Sequence, residues 1–405
     1  MRSLPTLLLI FLASAFTGQL SAQVDTTKKA PAPAKKEHWY DKLSFRGYTQ
    51  VRYNRLAETN EDFKLNQDKS VGKNGGFFIR RGRIILSGDV HPRVYIYIQN
   101  DFASASGTTL NYTGLRDAYF DLALDSAKTC RLRIGQSKVP YGFENMQSSQ
   151  NRLPLDRAEG LNSAVASERD LGVFFYWAPV KKRQLFKSLV DDGLKGSGDY
   201  GCFGLGVYNG QTLNKSESNN NLHVVTRFTW PFQLKSQIFE VGLQAYSGFF
   251  TVDNLTSSSV ATNPNKTYND ARYAATFVMY SKPVGILAEY TMGEGPCYDP
   301  TGDTIMVAPL EGGFVTINYM HKIKKWNQTV TPYARAQYFS GGFKTEKDAA
   351  HYKVNDYEFG VEYQFYKNFE LTVAYLMGDR HIQDKSNEDW NEAGNMIRIQ
   401  MQFNY

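Results

Sequence analysis

From Leu43 onward the chain alternates apolar and polar positions with a period of two. Leu43, Phe45, Gly47, Val51 and Tyr53 are interleaved with Arg46, Tyr48, Gln50 and Arg52. Phe239, Val241, Leu243 and Ala245 alternate with Glu240, Gly242, Gln244 and Tyr246. Tyr357, Phe359, Val361, Tyr363 and Phe365 alternate with Glu358, Gly360, Glu362 and Gln364. The last segment sets Ile397, Ile399, Met401, Phe403 and Tyr405 against Arg398, Gln400, Gln402 and Asn404. A helix brings together residues three and four apart, and no apolar stripe has that spacing here, so these segments are strands with one apolar face.

The pattern predicts sixteen strands, over 43–56, 76–88, 94–101, 115–124, 131–142, 168–177, 201–209, 222–230, 238–250, 270–280, 284–293, 312–320, 328–339, 356–366, 369–379 and 395–405. The connections alternate in length. Short ones fall at Asp89–Arg93, Asp125–Cys130, Pro231–Lys235, Ser281–Pro283, His321–Asn327 and Lys367–Asn368. Long ones fall at 57–75, 143–167, 210–221, 251–269, 294–311 and 380–394. Short periplasmic turns and long external loops are the rhythm of an outer-membrane barrel, and an even strand count returns both ends to the periplasm. The connection 178–200 is long where a short one is due; a helix around Gln184–Leu189 or longer flanking strands would account for it. Aromatics mark two interfacial girdles: Trp177, Trp230, Tyr280, Tyr319, Trp326, Tyr366 and Tyr405 at one end, and Tyr53, Tyr141, Tyr208, Tyr290 and Tyr338 at the other. The fold expected is all-β, a closed antiparallel transmembrane β-barrel over 43–405. A secreted β-sandwich would share the alternation but not the loop rhythm, girdles and apolar last strand together.

The ends refine this picture. Arg2, the apolar run Leu7–Phe16 and the small residues through Ser21-Ala22 read as a signal peptide over 1–22, too short for a spanning helix. Residues 23–42, with Lys28-Lys29 and Lys35-Lys36 around alternating Ala and Pro, read as a mobile periplasmic segment with nothing apolar to bury. The 33 glycines and 14% aromatic residues suit strands that show lipid one face and water the other. Three cysteines, Cys130, Cys202 and Cys297, leave an odd number in an exported chain; Cys130 and Cys202 both fall near the periplasmic side, as free thiols or as a disulfide.

Parity then sorts lumen from lipid. An Arg or Lys facing lipid at mid-membrane costs roughly 2–4 kcal/mol, so charges on spanning strands face water. The early lumen wall carries Arg46, Arg52, Arg81, Arg83, Arg131 and Arg133; Arg80 and Arg116 have the opposite parity and belong in bulges or at an interface. The late wall carries Glu240, Glu289, Glu358, Glu362 and Glu370, interrupted by Arg227, Arg272, Arg335 and Arg398. A basic sector facing an acidic one sets a field across the lumen, in which the arginines favour anions. The alternative is that these residues brace the wall as ion pairs.

The chemistry of other classes is weak. His38, His91, His223, His321, His351 and His381 form no cluster with Ser, Cys or Asp, so a hydrolase is unsupported. Asp299, Asp303 and Glu294 read as solvated acids rather than a Ca²⁺ loop. No metal or cofactor is called for, and no nucleic-acid-binding face is present.

The segments IRRGRIILSGDV at 79–90, LRDAYFDLAL at 115–124, LRIGQSKVPYGFENMQSS at 132–149, ERDLGVFFY at 168–176 and GLGVYNG at 204–210 carry a family likeness. The chain from Leu43 to Tyr405 resembles the phosphate-selective porin family, the O and P type porins, most of all versions from Bacteroidetes-like bacteria. That resemblance implies a sixteen-stranded, often trimeric barrel whose third external loop, here 143–167, folds inward as a constriction. It implies a terminal aromatic assembly signal, here Tyr405. The loop carries Glu144, Arg152, Asp156, Arg157 and Glu159, a mixed set where a dedicated phosphate filter would be uniformly basic. The expectation is therefore an outer-membrane porin for passive diffusion of small hydrophilic solutes, with a modest anion preference and phosphate among the candidates. The alternative is a plugged structural or receptor-like barrel acting as an attachment or assembly partner.

Overall fold

The computed structural model describes residues 38–63, 65, 68, 76–106, 109–256 and 260–405; the expected signal peptide and most of the N-terminal segment lie outside them. The strands are β1 (Leu43–Leu56), β2 (Phe78–His91), β3 (Val94–Ser106), β4 (Thr109–Ala123), β5 (Cys130–Lys138), β6 (Arg169–Trp177), β7 (Phe203–Tyr208), β8 (His223–Leu234) and β9 (Gln237–Thr251). They continue as β10 (Thr267–Met279), β11 (Val284–Asp299), β12 (Thr304–Tyr319), β13 (His321–Ile323), β14 (Gln328–Gly342), β15 (His351–Tyr366), β16 (Phe369–Asp384) and β17 (Asn387–Asn404). Both β12 and β13 pair with β14, so they are one wall strand interrupted at Met320, and the wall has sixteen strands.

Every strand is antiparallel to its neighbours, and β1 pairs with β17 from Tyr48↔Asn404 to Tyr53↔Ile399, which closes the sheet. Closure matters because lipid offers no partner to an unpaired edge. The Tyr405 carbonyl accepts from Gly47 N at 2.7 Å, and Tyr405 N donates back to the Gly47 carbonyl at 3.0 Å. The Tyr405 ring lies so close over Gly47 that a Cβ there would meet Cε2 at 2.4 Å. Glycine is thus required at the seam.

Burial is inverted relative to a soluble protein. On β9, Glu240 is fully buried, while Val241, Leu243 and Phe249 point outward and are exposed. Among the described residues no helix is long and apolar enough to cross a membrane; the strands do the crossing. Exposed Trp177, Tyr319, Trp326, Tyr366 and Tyr405 ring the short-turn end, and Tyr290 and Tyr338 ring the other. Three aromatics expected in the girdles are instead buried inside: Tyr280 donates to Glu240 at 2.6 Å, Tyr141 packs edge-on against Tyr246, and Tyr208 stacks with Phe174. Tyr208 and Tyr280 share the inward parity of Gly206 and Val278; only their place near strand ends pointed to a girdle.

Two boundaries also differ from expectation. The fifth strand stops at Lys138 instead of running to 142, because Pro140 has no N–H for the ladder and Gly142 turns the chain at φ 76°. The hairpins β11–β12 and β16–β17 pair out to Asp299↔Thr304 and Asp384↔Asn387, so strands occupy much of 294–311 and 380–394, where loops were expected. The long connection after β6 holds α3 (Val180–Asp191), which begins after Pro179 and buries Phe186 and Leu189 on one side. Cys130, Cys202 and Cys297 are free thiols.

Candidate functional site

The lumen is occupied by the connection between β5 and β6. After Gly142 it forms α1 (Phe143–Met146), a 3-10 turn over Ser149–Asn151 and α2 (Glu159–Ala164). It returns through Ser167 and Glu168, both at positive φ. Both helices are entirely buried. One flank of this loop is apolar: Tyr141, Leu161, Ala164 and Val165 pack with Phe174, Tyr176, Tyr208, Val225 and Tyr246 of β6–β9.

The other flank is ionic. Glu144 receives both terminal nitrogens of Arg335, at 2.8 and 3.1 Å. Glu159 receives Arg380 at 2.9 Å. Asp156 sits among Arg52 at 2.9 Å, Arg80 at 3.1 Å and Arg398. Burial alone would raise the Asp156 carboxyl, but Arg52, Arg398 and Arg80 outweigh it and hold the group well below the ordinary carboxylate range. Asp68, from the first external loop, joins Arg52 and Arg398 in the same cluster. Arg152 and Arg157 stay within the loop. Arg152 pairs with Glu168, and Arg157 donates to Asn145 Oδ1 at 2.6 Å and lies 3.7 Å from Glu168. Burial opposes the charge on Glu168 too, yet Arg152, Lys138, Arg169 and Arg157 keep it well below its usual value.

The wall residues meet these elements as follows. Arg83 binds Asp101 at 2.8 Å, the Tyr48 hydroxyl at 2.8 Å and Ser149 of the loop at 3.1 Å. Arg81 donates to Gln50 at 2.8 Å. Arg133 forks onto Asp121 at 2.7 and 2.9 Å and lies 3.9 Å over the Tyr119 ring, while Arg131 reaches Asp199 at 2.8 Å. Arg46 is exposed. Among the late acids, Glu289 caps Phe143 N at 2.6 Å, Glu240 accepts from Thr229 and Tyr280, Glu358 accepts from Tyr333 at 2.6 Å, and Glu362 takes Lys195 at 2.6 Å. Arg80 and Arg116 each fall where the pairing register skips, and from those bulges they turn toward Asp156 and Asp101.

Residues 53–405 match the family model for phosphate-selective porin O and P. The chain belongs to that family.

Among solved structures, this porin is similar to the outer membrane channel DcaP of Acinetobacter baumannii. The TM-score is 0.51 at 14% identity, over 90% of this chain and 97% of that one. It is similar to Salmonella typhi OmpF in complex with daunomycin, with a TM-score of 0.56 at 15% identity over 90% and 97%. It is also similar to the anion-selective porin from Comamonas acidovorans, at 0.51 and 8% over 90% and 99%. These likenesses concern the fold. Among curated proteins none matches it. The chain is thus a porin-type barrel of the outer membrane, in a family whose business is transport rather than catalysis.

In this porin the inward connection between β5 and β6 leaves unequal space on its two sides. Toward β14–β17, where the ion pairs lie, a void of about 30 Å³ remains. Toward β2–β6 there is a cavity of about 660 Å³, floored by the wall, roofed by Ser148, Gln150 and Asn151, and bounded by α3 and the strap 196–200. It borders the short turns at Asp89, Arg93 and Lys128, so it is a vestibule at the periplasmic end. Nine cationic side chains line it against five carboxylates. The strap also crosses to the far wall: Lys195 binds Glu362, and its carbonyl accepts from Gln147 of the loop at 2.6 Å. Burial alone would lower the Lys195 ammonium, but Glu362 and Glu370 raise it above its usual value.

Sequence reasoning missed Asp101, Asp117 and Asp121 as partners of the early arginines, although they share the inward parity of Tyr97 and Gln99 on β3–β4. It also missed Lys195 and Asp199, for which a chain-local signal does not exist. Asp303 pairs with Lys385 and Tyr298, and no metal-binding group of three ligands is present among the described residues.

Proposed function

We propose that this protein is a passive outer-membrane porin for small hydrophilic solutes with a modest preference for anions. The observation that carries the reading is the vestibule: a cavity of about 660 Å³ inside a closed barrel, lined by nine cations and five carboxylates. Solutes pass along the β2–β6 flank of the inward loop, where Arg46, Arg131 and Arg133 supply the positive potential and the paired acids keep it shallow. Phosphate, named in the family's description, is a minor client in this reading, because most of the guanidiniums it would need already hold carboxylates. Assembly as a homotrimer belongs to the same proposal.

Conductance steps from purified protein in a planar bilayer, with a reversal potential in asymmetric KCl favouring chloride weakly, are the expected result. A second reading, a plugged barrel that serves as an attachment partner, is favoured by one observation: the loop and the Lys195 strap meet across the lumen. Bilayers that stay silent under conditions where the barrel is folded would select it.

A further inference from the structure

The vestibule's charges are largely spent on one another. Arg133 holds Asp121, Arg169 holds Asp117 at 2.9 Å, and Arg131 holds Asp199. An inorganic anion gains little from Arg131, Arg133 and Arg169, since each has its carboxylate beside it to repel the newcomer, while Arg46 and Arg93 stand exposed to solvent. What else remains unmatched in the cavity is mostly neutral. Of the four tyrosines that line the cavity, Tyr97 donates to Gln99 at 3.1 Å, whereas the hydroxyls of Tyr95, Tyr119 and Tyr200 have no hydrogen-bond partner among the described residues. The amide nitrogen of Gln99, on a residue only 3% exposed, has no acceptor. Asp117 Oδ2 accepts from Arg169, and its Oδ1 has no donor among the described residues.

Unmatched hydroxyls and amides, ring surfaces, and guanidinium–carboxylate pairs that set a donor row beside an acceptor row suit one kind of solute. Vicinal hydroxyls each donate and accept, so one can give a proton to Asp117 while its neighbour accepts from an arginine. The carbon face of a pyranose covers the apolar body of a tyrosine, here Tyr200; the Tyr119 ring already has Tyr97 stacked on it and Arg133 against it, and offers its hydroxyl. We infer that the vestibule is a saccharide-binding station that takes a short neutral oligosaccharide across Tyr119, Tyr200, Gln99 and Asp117. The cavity, about 660 Å³, falls in the range of about 300–1,000 Å³ that holds drug-sized ligands, which is the size of a di- or trisaccharide. The inference rests on the porin reading and names its solute class.

Titration calorimetry of the full protein in detergent, with maltotriose, cellotriose and chitotriose, tests binding without requiring an open channel. The same sugars added to the periplasmic face of a bilayer test it through interruption of the current. At least one sugar is expected to bind and to interrupt current, while inorganic phosphate at equal concentration does neither. The double variant Tyr119→Phe/Tyr200→Phe keeps both rings and their packing but removes two hydroxyls, and it should weaken sugar binding by about tenfold or more. Failure of all three sugars to bind, binding unchanged in the double variant, or stronger binding of phosphate each overturns the inference. Conductance without sugar binding sinks this inference and leaves the porin; sugar binding without conductance sinks the porin and leaves a saccharide receptor.

Discussion

Glu144 and Arg335 form a two-pronged ion pair across 191 residues of sequence, joining the first turn of the inward loop to the middle of β14. Neither side chain is more than 3% exposed. The pair carries a large share of the loop's orientation, because Glu144 also accepts from Ala158 N at 2.9 Å and so fixes the loop's two halves together.

Glu144→Gln should therefore destabilise the barrel by roughly 3–5 kcal/mol, the cost of leaving a buried partner charge uncompensated. Glu144→Gln/Arg335→Gln should cost less than either single change. The temperature at which the heat-modifiable band is lost on a gel reads both, and a double-variant loss equal to the sum of the two single losses would show the pair to be inert.

Asp156 predicts an acid-tolerant channel. Its folded value is depressed well below the ordinary 3.8, so the stabilisation it lends is present above that ordinary value and lost only as pH falls through the depressed one. Conductance should stay level from pH 7 down to about pH 4 and change only in stronger acid. In Asp156→Asn the loop loses its ionic clasp at every pH. A step in conductance between pH 7 and pH 5 in the unaltered protein would contradict this.

Lys195 predicts a gain of conductance. Lys195→Met leaves Glu362 without its cation and releases the strap from the far wall, so single-channel current should rise and become noisier. The raised folded value means the tether's stabilisation is fully present below the ordinary 10.5 and is lost only as pH climbs through the higher folded one. The unaltered strap should accordingly hold across neutral and mildly alkaline buffers. Identical current traces for the variant would place the strap outside the ion path.

The early arginines should divide into two kinds. Arg131→Gln and Arg133→Gln expose Asp199 and Asp121 to the vestibule, so the reversal potential should move toward cation preference. Arg81→Gln should alter it little, because that guanidinium binds Gln50 beneath the loop, and Arg83→Gln should act mainly on stability by leaving Asp101 with the more distant Arg116 as its cation. Equal selectivity in all four variants would make the whole wall structural.

The strands were legible because the spanning part of the wall alternates: over Phe239–Ala245 of β9 and Tyr357–Tyr363 of β15 apolar side chains point outward and polar residues or glycines inward. Even the bulges at Arg80 and Arg116 announced themselves as charges out of step. The filling of the lumen was not legible. Parity tells which side of the wall Glu362 faces, but nothing local says that Lys195, 167 residues earlier, crosses the barrel to meet it. Tyr208 and Tyr280 were misplaced because they lie near strand ends, where girdles form, although they share the inward parity of Gly206 and Val278; Tyr141 belongs to the loop after β5 ends at Lys138.

The inward loop is fastened by different forces on its two edges, oil-like contacts along β6–β9 and guanidinium–carboxylate clasps along β14–β17 and β1. Salt barely screens ion pairs buried this deeply, so the clasps yield to protonation of their carboxylates, whereas cooling weakens the apolar contacts. The loop is in effect a door whose hinge and latch answer to different conditions: strong acid loosens the latch while the hinge holds, and cold does the reverse.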